Sequence, residues 1–117
     1  MFVTSYFANH RKLKEAGFLI VSIARFTPPG VIYNLLAFAP EKNLLLRRKQ
    51  GMVSDEEYTR AYLEQLNSLN TKEVADLLES IPGKVALCCY CGKDKFCHRH
   101  ILSKWLNDNF NIEINEF

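Results

Sequence analysis

Phe18-Leu-Ile-Val-Ser-Ile-Ala24 is the stretch on which the fold turns. A strand with one wet face alternates apolar and polar residues. A near-continuous apolar run of this length is what a parallel strand shows when helices cover both its faces. Val85-Ala-Leu-Cys-Cys89 repeats the pattern, and Phe2 to Tyr6 is a shorter β-branched and aromatic run before it.

The intervening residues read as helices. Asn9 is placed to cap a short helix from His10 to Ala16, which stops at Gly17. Thr27-Pro-Pro-Gly30 breaks the chain, and Val31 to Pro40 reads as irregular. Glu41 to Gln50 is a candidate helix. Ser54-Asp-Glu-Glu57 has the S-x-x-E form of a capping box, and Tyr58, Ala61, Tyr62, Leu66 and Leu69 follow at helical spacing. Thr71 opens a further helix with Val74, Leu77, Leu78 and Ile81 on one face, ended by Pro82-Gly83. Gly92 to Lys95 reads as a tight polar loop. A last helix, from about Cys97 to Asn109, buries Ile101, Leu102, Trp105 and Leu106, and the tail Asn111-Ile-Glu-Ile-Asn-Glu-Phe117 alternates as an edge strand does. Strands alternating with helices predict one α/β domain over residues 1–117. It is a three-layer sandwich with a small, mostly parallel sheet of about four strands flanked by helices.

Composition agrees. The chain has 117 residues, 48% hydrophobic and 24% charged, with 5 Gly and 4 Pro, which excludes collagen-like and low-complexity classes. Its uncharged stretches are interrupted by Pro, Gly and Asn, so no membrane span is expected. No basic segment precedes an apolar run at Met1-Phe-Val-Thr, so no signal peptide is read there and a cytoplasmic location is expected. Residues 1–53 carry 8 Lys/Arg against 2 acids, and residues 54–81 carry 7 acids against 2 Lys/Arg. Such halves either pair with each other or present a basic surface to an anionic partner.

In a parallel sheet the site lies beyond the carboxyl ends of the strands. Phe96-Cys-His-Arg-His100 falls there, at the opening of a helix. A helix N-terminus favours negative charge, which lowers a cysteine pKa and attracts anions. Cys97 is therefore the candidate nucleophile, His98 or His100 the candidate base, and Arg99 an anion ligand; the plainer alternative buries Cys97 and pairs Arg99 with an acid such as Glu116. Arg25, at the end of the second strand, is expected at the same rim, and Tyr90, Tyr6, Asn9 and His10 lie at strand ends nearby. Arg47-Arg-Lys49 reads as a solvated helix face, with nonspecific phosphate contact as the alternative. Five residues separate Cys91 from Cys97, but a phosphatase loop needs arginine where Cys97 stands, so that class is not assigned. Without a secretory context disulfides are not expected, and four cysteines between 88 and 97 suggest packing, reactive thiols or metal. No cofactor is expected in the leading reading; zinc held by Cys88, Cys91, Cys97 and His98 or His100 is the alternative.

Thr4-Ser-Tyr-Phe-Ala8, Ser22-Ile-Ala-Arg25 with Pro28, Leu87-x-Cys89-Tyr90, Phe96-Cys-His-Arg-His100, Trp105-Leu106 and Glu116-Phe117 run in order along the chain. Together they resemble the family called domain of unknown function 488. The resemblance implies a single α/β domain whose shared polar residues are Arg25, Tyr90, Cys97, His98 and Arg99. The family's usual Cys-Tyr-Glu reads Cys89-Tyr90-Cys91 here, which removes a candidate general acid or base. Zinc ligands Cys88 and Cys91 would also lie outside the family pattern. The expected function is binding of an anionic ligand, a phosphate-bearing nucleotide or nucleic acid, with Cys97 as a thiolate. A non-catalytic binding module and a zinc-binding domain are the alternatives.

Overall fold

The computed structural model describes residues 1–93 and 95–117. Of the expected Gly92–Lys95 loop, Asp94 lies outside the described residues. The strands are β1 (Phe2–Tyr6), β2 (Leu19–Ser22), β3 (Tyr33–Asn34), β4 (Val85–Cys89) and β5 (Ile114–Glu116). The helices are α1 (His10–Glu15), α2 (Lys42–Lys49), α3 (Asp55–Asn67), α4 (Thr71–Glu79) and α5 (His98–Phe110). The α/β class and the parallel sheet are as the sequence predicts, with five strands in place of about four. The extra one is β3, inside the stretch expected to be irregular. Its two residues pair with Val21 and Ser22 and give a hydrophobic pattern nothing to repeat.

The sheet order is β3-β2-β4-β1-β5, and every pairing is parallel. All five carboxyl ends therefore face the same way. Side chains of β4 alternate strictly between faces, because a strand has period two. Ala86 and Cys88 join Val3, Leu13, Phe18 and Ile20 under α1. Val85, Leu87 and Cys89 join the larger core under the other four helices, with Tyr62, Leu66, Leu102 and Leu106.

Local chemistry sets the helix ends. Ser54 accepts from the Glu57 backbone N–H at 3.1 Å while Glu57 accepts from the Ser54 N–H, so the capping box forms in full. Asn70 caps α4 through the Glu73 N–H. Asn9 stands before α1 but its amide donates instead to Ser5 Oγ at 3.2 Å, tying the end of β1 to the turn that follows. Asn111 ends α5 in the left-handed region, at φ 54°, a conformation Asn tolerates better than most residues. Trp105 Nε1 donates to Asn67 Oδ1 at 2.9 Å and fastens α5 to α3. Among the described residues no helix is long and apolar enough to cross a membrane.

Candidate functional site

Beyond the carboxyl ends of β2 and β4 lies a cavity of about 310 Å³. Ala24, Arg25 and Phe26 wall it after β2; Cys89, Tyr90 and Cys91 wall it at the end of β4; Cys97 and His98 wall it at the opening of α5. Arg48 and Lys49 close it from the end of α2. The walls thus carry three cationic side chains, and no carboxylate among the described residues. Phe26, Tyr90 and Phe96 stand exposed around it, at 60%, 59% and 41%.

Arg25 and Arg48 are held rather than free. Arg25 donates from Nε to Pro40 O at 3.1 Å and from Nη2 to Pro40 O and Ala39 O at 2.9 and 3.3 Å. Those bonds fix one edge of the guanidinium against the backbone before α2. Arg48 donates to Val53 O and pairs with Asp55, with its guanidinium 4.9 Å from the Phe96 ring centre and 5.8 Å from that of Tyr58. A planar cation between aromatic rings keeps its charge while losing freedom. Arg47 and Lys49 are exposed, as a solvated helix face predicts; the end of α2 also lies over the strand ends, so that half-buried Arg48 and Lys49 border the cavity, while Arg47 lies against α3.

Arg99 is placed elsewhere. It is fully buried and does not wall the cavity. Its Nε and Nη2 grip Glu116 at 2.8–3.2 Å, Nη1 donates to the Cys91 carbonyl and to Cys89 Sγ, and Nη2 donates to Gly92 O at 3.0 Å. Thr4 Oγ1 adds a 2.6 Å bond to the same carboxylate. Tyr6 lies under the guanidinium, its ring centre 5.7 Å away. The expected clamp of Arg25 and Arg99 is thus divided: Arg25 borders the cavity, and Arg99 ties β4, β5 and α5 together beneath it. The partner role named for Glu116 is the one the geometry gives.

The sulfur atoms form the cavity floor. Cys89, Cys91 and Cys97 have their Sγ atoms all within 4.8 Å of one another, a set that could hold a metal ion. The Cys89 and Cys97 sulfurs are 2.7 Å apart. Cys88 points into the opposite core, so of the four expected zinc ligands it is replaced by Cys89. His100 is exposed on the outer side of α5, away from the set. His10 likewise lies exposed, at the start of α1.

His98 is buried, with Nε2 2.7 Å from Ile23 O and Nδ1 3.6 Å from Cys97 Sγ. The carbonyl can only accept, so Nε2 carries the proton and Nδ1 turns its lone pair to the sulfur. Burial pushes the His98 pKa down to about 4. Among the thiols, the hydrogen bond to Cys89, then that to Cys91, then burial hold the Cys97 pKa up. Hydrogen bonds from Cys89 and Cys97 pull the exposed Cys91 down. Of the three sulfurs, the exposed Cys91 is the one whose thiolate the others favour. The helix end alone favours a thiolate at Cys97; its two sulfur neighbours oppose it.

A family model described as the active DUF488-N3 subclade matches residues 5–110. No curated protein and no solved structure matches the chain.

Proposed function

The chain belongs to the DUF488 family, in the subclade described as active, and we propose that it binds a phosphate-bearing nucleotide, free or at the end of a nucleic-acid strand, in the cavity over β2 and β4. The observation that carries this reading is the cavity's charge: Arg25, Arg48 and Lys49 on its walls, with no carboxylate among the described residues. Arg25 and Lys49 have no acid partner among the described residues and Arg48 shares its charge with Asp55, so the space favours an anion, and two arginines with fixed planes suit phosphate oxygens. The aromatic rim of Phe26, Tyr90 and Phe96 offers faces on which a base stacks. The volume falls at the small end of ligand sites.

Calorimetric titration with nucleoside monophosphates, beside the matching nucleosides, tests the proposal. The phosphate should strengthen binding by at least about tenfold, and Arg48→Ala should weaken nucleotide binding by about the same factor. Equal binding of nucleoside and nucleotide would sink it.

If the bound ligand also reacts, Cys97 is the nucleophile and His98 the base. The support is the 3.6 Å approach of Nδ1 to Sγ on the cavity floor. Both resting groups are neutral, so the proton moves to Nδ1 only as the sulfur bonds. A second reading is a zinc site, favoured by the gathering of Cys89, Cys91 and Cys97. Tetrahedral Zn–S bonds of about 2.3 Å set sulfur pairs roughly 3.8 Å apart, so Cys89 and Cys97 would have to separate. Elemental analysis of protein purified without chelator decides it: about one zinc per chain supports the site, and none removes it.

A further inference from the structure

We propose that Cys89, Cys91 and Cys97 form a peroxide-reactive thiol relay, in which Cys91 takes up the oxidant and the bond ends between Cys89 and Cys97. The inference does not depend on nucleotide binding; it rests on how the three sulfurs are arranged. Cys91 is exposed while Cys89 and Cys97 are buried. All three lie within 4.8 Å of one another, and the buried pair is in contact at 2.7 Å. One sulfur therefore meets solutes, and two wait behind it within reach. Cys89 ends β4 and Cys97 is the residue before α5, both elements of the core, so the inner pair does not depend on a loop closing. Cys88, next in sequence, points through the sheet to the other core and is excluded.

The chemistry balances with a hydroperoxide as the oxidant. The Cys91 sulfur attacks the terminal peroxide oxygen, the O–O bond breaks, and Cys91 becomes a sulfenic acid while the hydroperoxide leaves as an alcohol, or as water from hydrogen peroxide. The Cys97 thiol then attacks the sulfenic sulfur; the Cys91–Cys97 disulfide forms, and the sulfenic oxygen departs as water with the Cys97 proton. Cys89 next attacks the Cys97 sulfur, and its proton passes to the departing Cys91, which is restored as a thiol. In sum, two thiols are oxidised by two electrons, and the peroxide is reduced.

Hydrogen peroxide on the full-length chain, followed by alkylation and non-reducing peptide mapping, tests this. Trypsin separates Val85–Lys93, which holds Cys88, Cys89 and Cys91, from Phe96–Arg99, which holds Cys97. The expected product is 2 Da lighter than the reduced chain. It links these peptides through Cys89 and Cys97, leaves Cys91 and Cys88 alkylatable, and reverts with dithiothreitol. Cys91→Ser should slow formation of the link by about tenfold or more while the melting temperature holds. Equal rates in that variant, a link through Cys88, oxidation only to sulfinic and sulfonic acids, or thiols shielded by bound zinc would each overturn the relay. The two proposals fail separately, because calorimetry reads nucleotide binding and the mapped disulfide reads the relay.

Discussion

Among the described residues, six buried apolar residues gather under α1 on one face of the sheet, and seventeen gather under α2 to α5 on the other. Cys88 and Cys89 are neighbours in β4 and fall on opposite sides of this division. Burial among apolar groups pushes the Cys88 thiol up to about 12, and the nearest acceptor to its sulfur is the Ala86 carbonyl at 3.6 Å. Cys89 meets Cys97, Cys91 and Arg99. Two residues of one type, one peptide bond apart, thus differ in chemistry because a strand sends them to different neighbourhoods. The thin face closes the sheet, and the thick face builds the site.

The largest way to break this contrast is through Arg99. Arg99→Ala removes the guanidinium from Glu116 and from the Cys91 and Gly92 carbonyls, leaving Glu116 with Thr4 and Gly92 O with the Lys95 N–H, and should cost about 3–5 kcal/mol in urea unfolding. A loss below about 1 kcal/mol would mean that the buried charge is not the tie described. The thin face has its own single anchor: Leu13 is the only residue of α1 that is buried. Leu13→Ala should cost about 3 kcal/mol and, in hydrogen exchange, release α1 before the rest. Uniform loss of protection would show that the two faces do not open separately.

Acid should weaken the thick face next. The folded His98 pKa of about 4 lies below the ordinary 6.5, so as pH falls the unfolded chain takes its proton first. Stability from this group is complete above pH 6.5 and declines through the window down to about 4; between pH 8 and pH 5 the loss is about 2 kcal/mol. His98→Gln should flatten the urea midpoint across that range, and an unchanged slope would assign it to other groups. The smallest effect is expected at Cys88. Cys88→Ala should cost about 1 kcal/mol and leave peroxide oxidation at the wild-type rate, whereas Cys89→Ala should abolish the final disulfide.

The sequence carries the layers more fully than the site. Phe18–Ala24 and Val85–Cys89 announce covered strands because burial on both faces writes itself as continuous apolarity. Cys97, His98 and Arg25 were found from their places at strand ends, and all three line the cavity. Arg47-Arg-Lys49 reads as a solvated face, and Arg47 and Lys49 are exposed; that Arg48 and Lys49 also border the cavity depends on where α2 packs, which is tertiary information. Arg99 reads from the chain as either a rim cation or the partner of Glu116, and only the fold chooses. Its position at a helix opening is local, but Glu116 reaches it only because β5 pairs beside β1. C-x-x-C spacing, visible along the chain, points to Cys88, whereas the side of the sheet, which brings in Cys89 instead, is set by register.

The strand order also has a kinetic consequence. β1 and β2 follow one another along the chain, yet β4 stands between them, with Val85 opposite both Phe2 and Leu19. The pairs β3–β2 and β1–β5 are two half-sheets that meet only when β4 slots in. A contact between partners this distant in sequence closes a large loop before it gains anything, and such folds assemble slowly. Until that moment two apolar edges lie open, and the nascent sheet is most vulnerable to pairing with another molecule. The arrival of β4 seals both edges and, in the same step, brings Cys89 to the place where Cys97 will meet it.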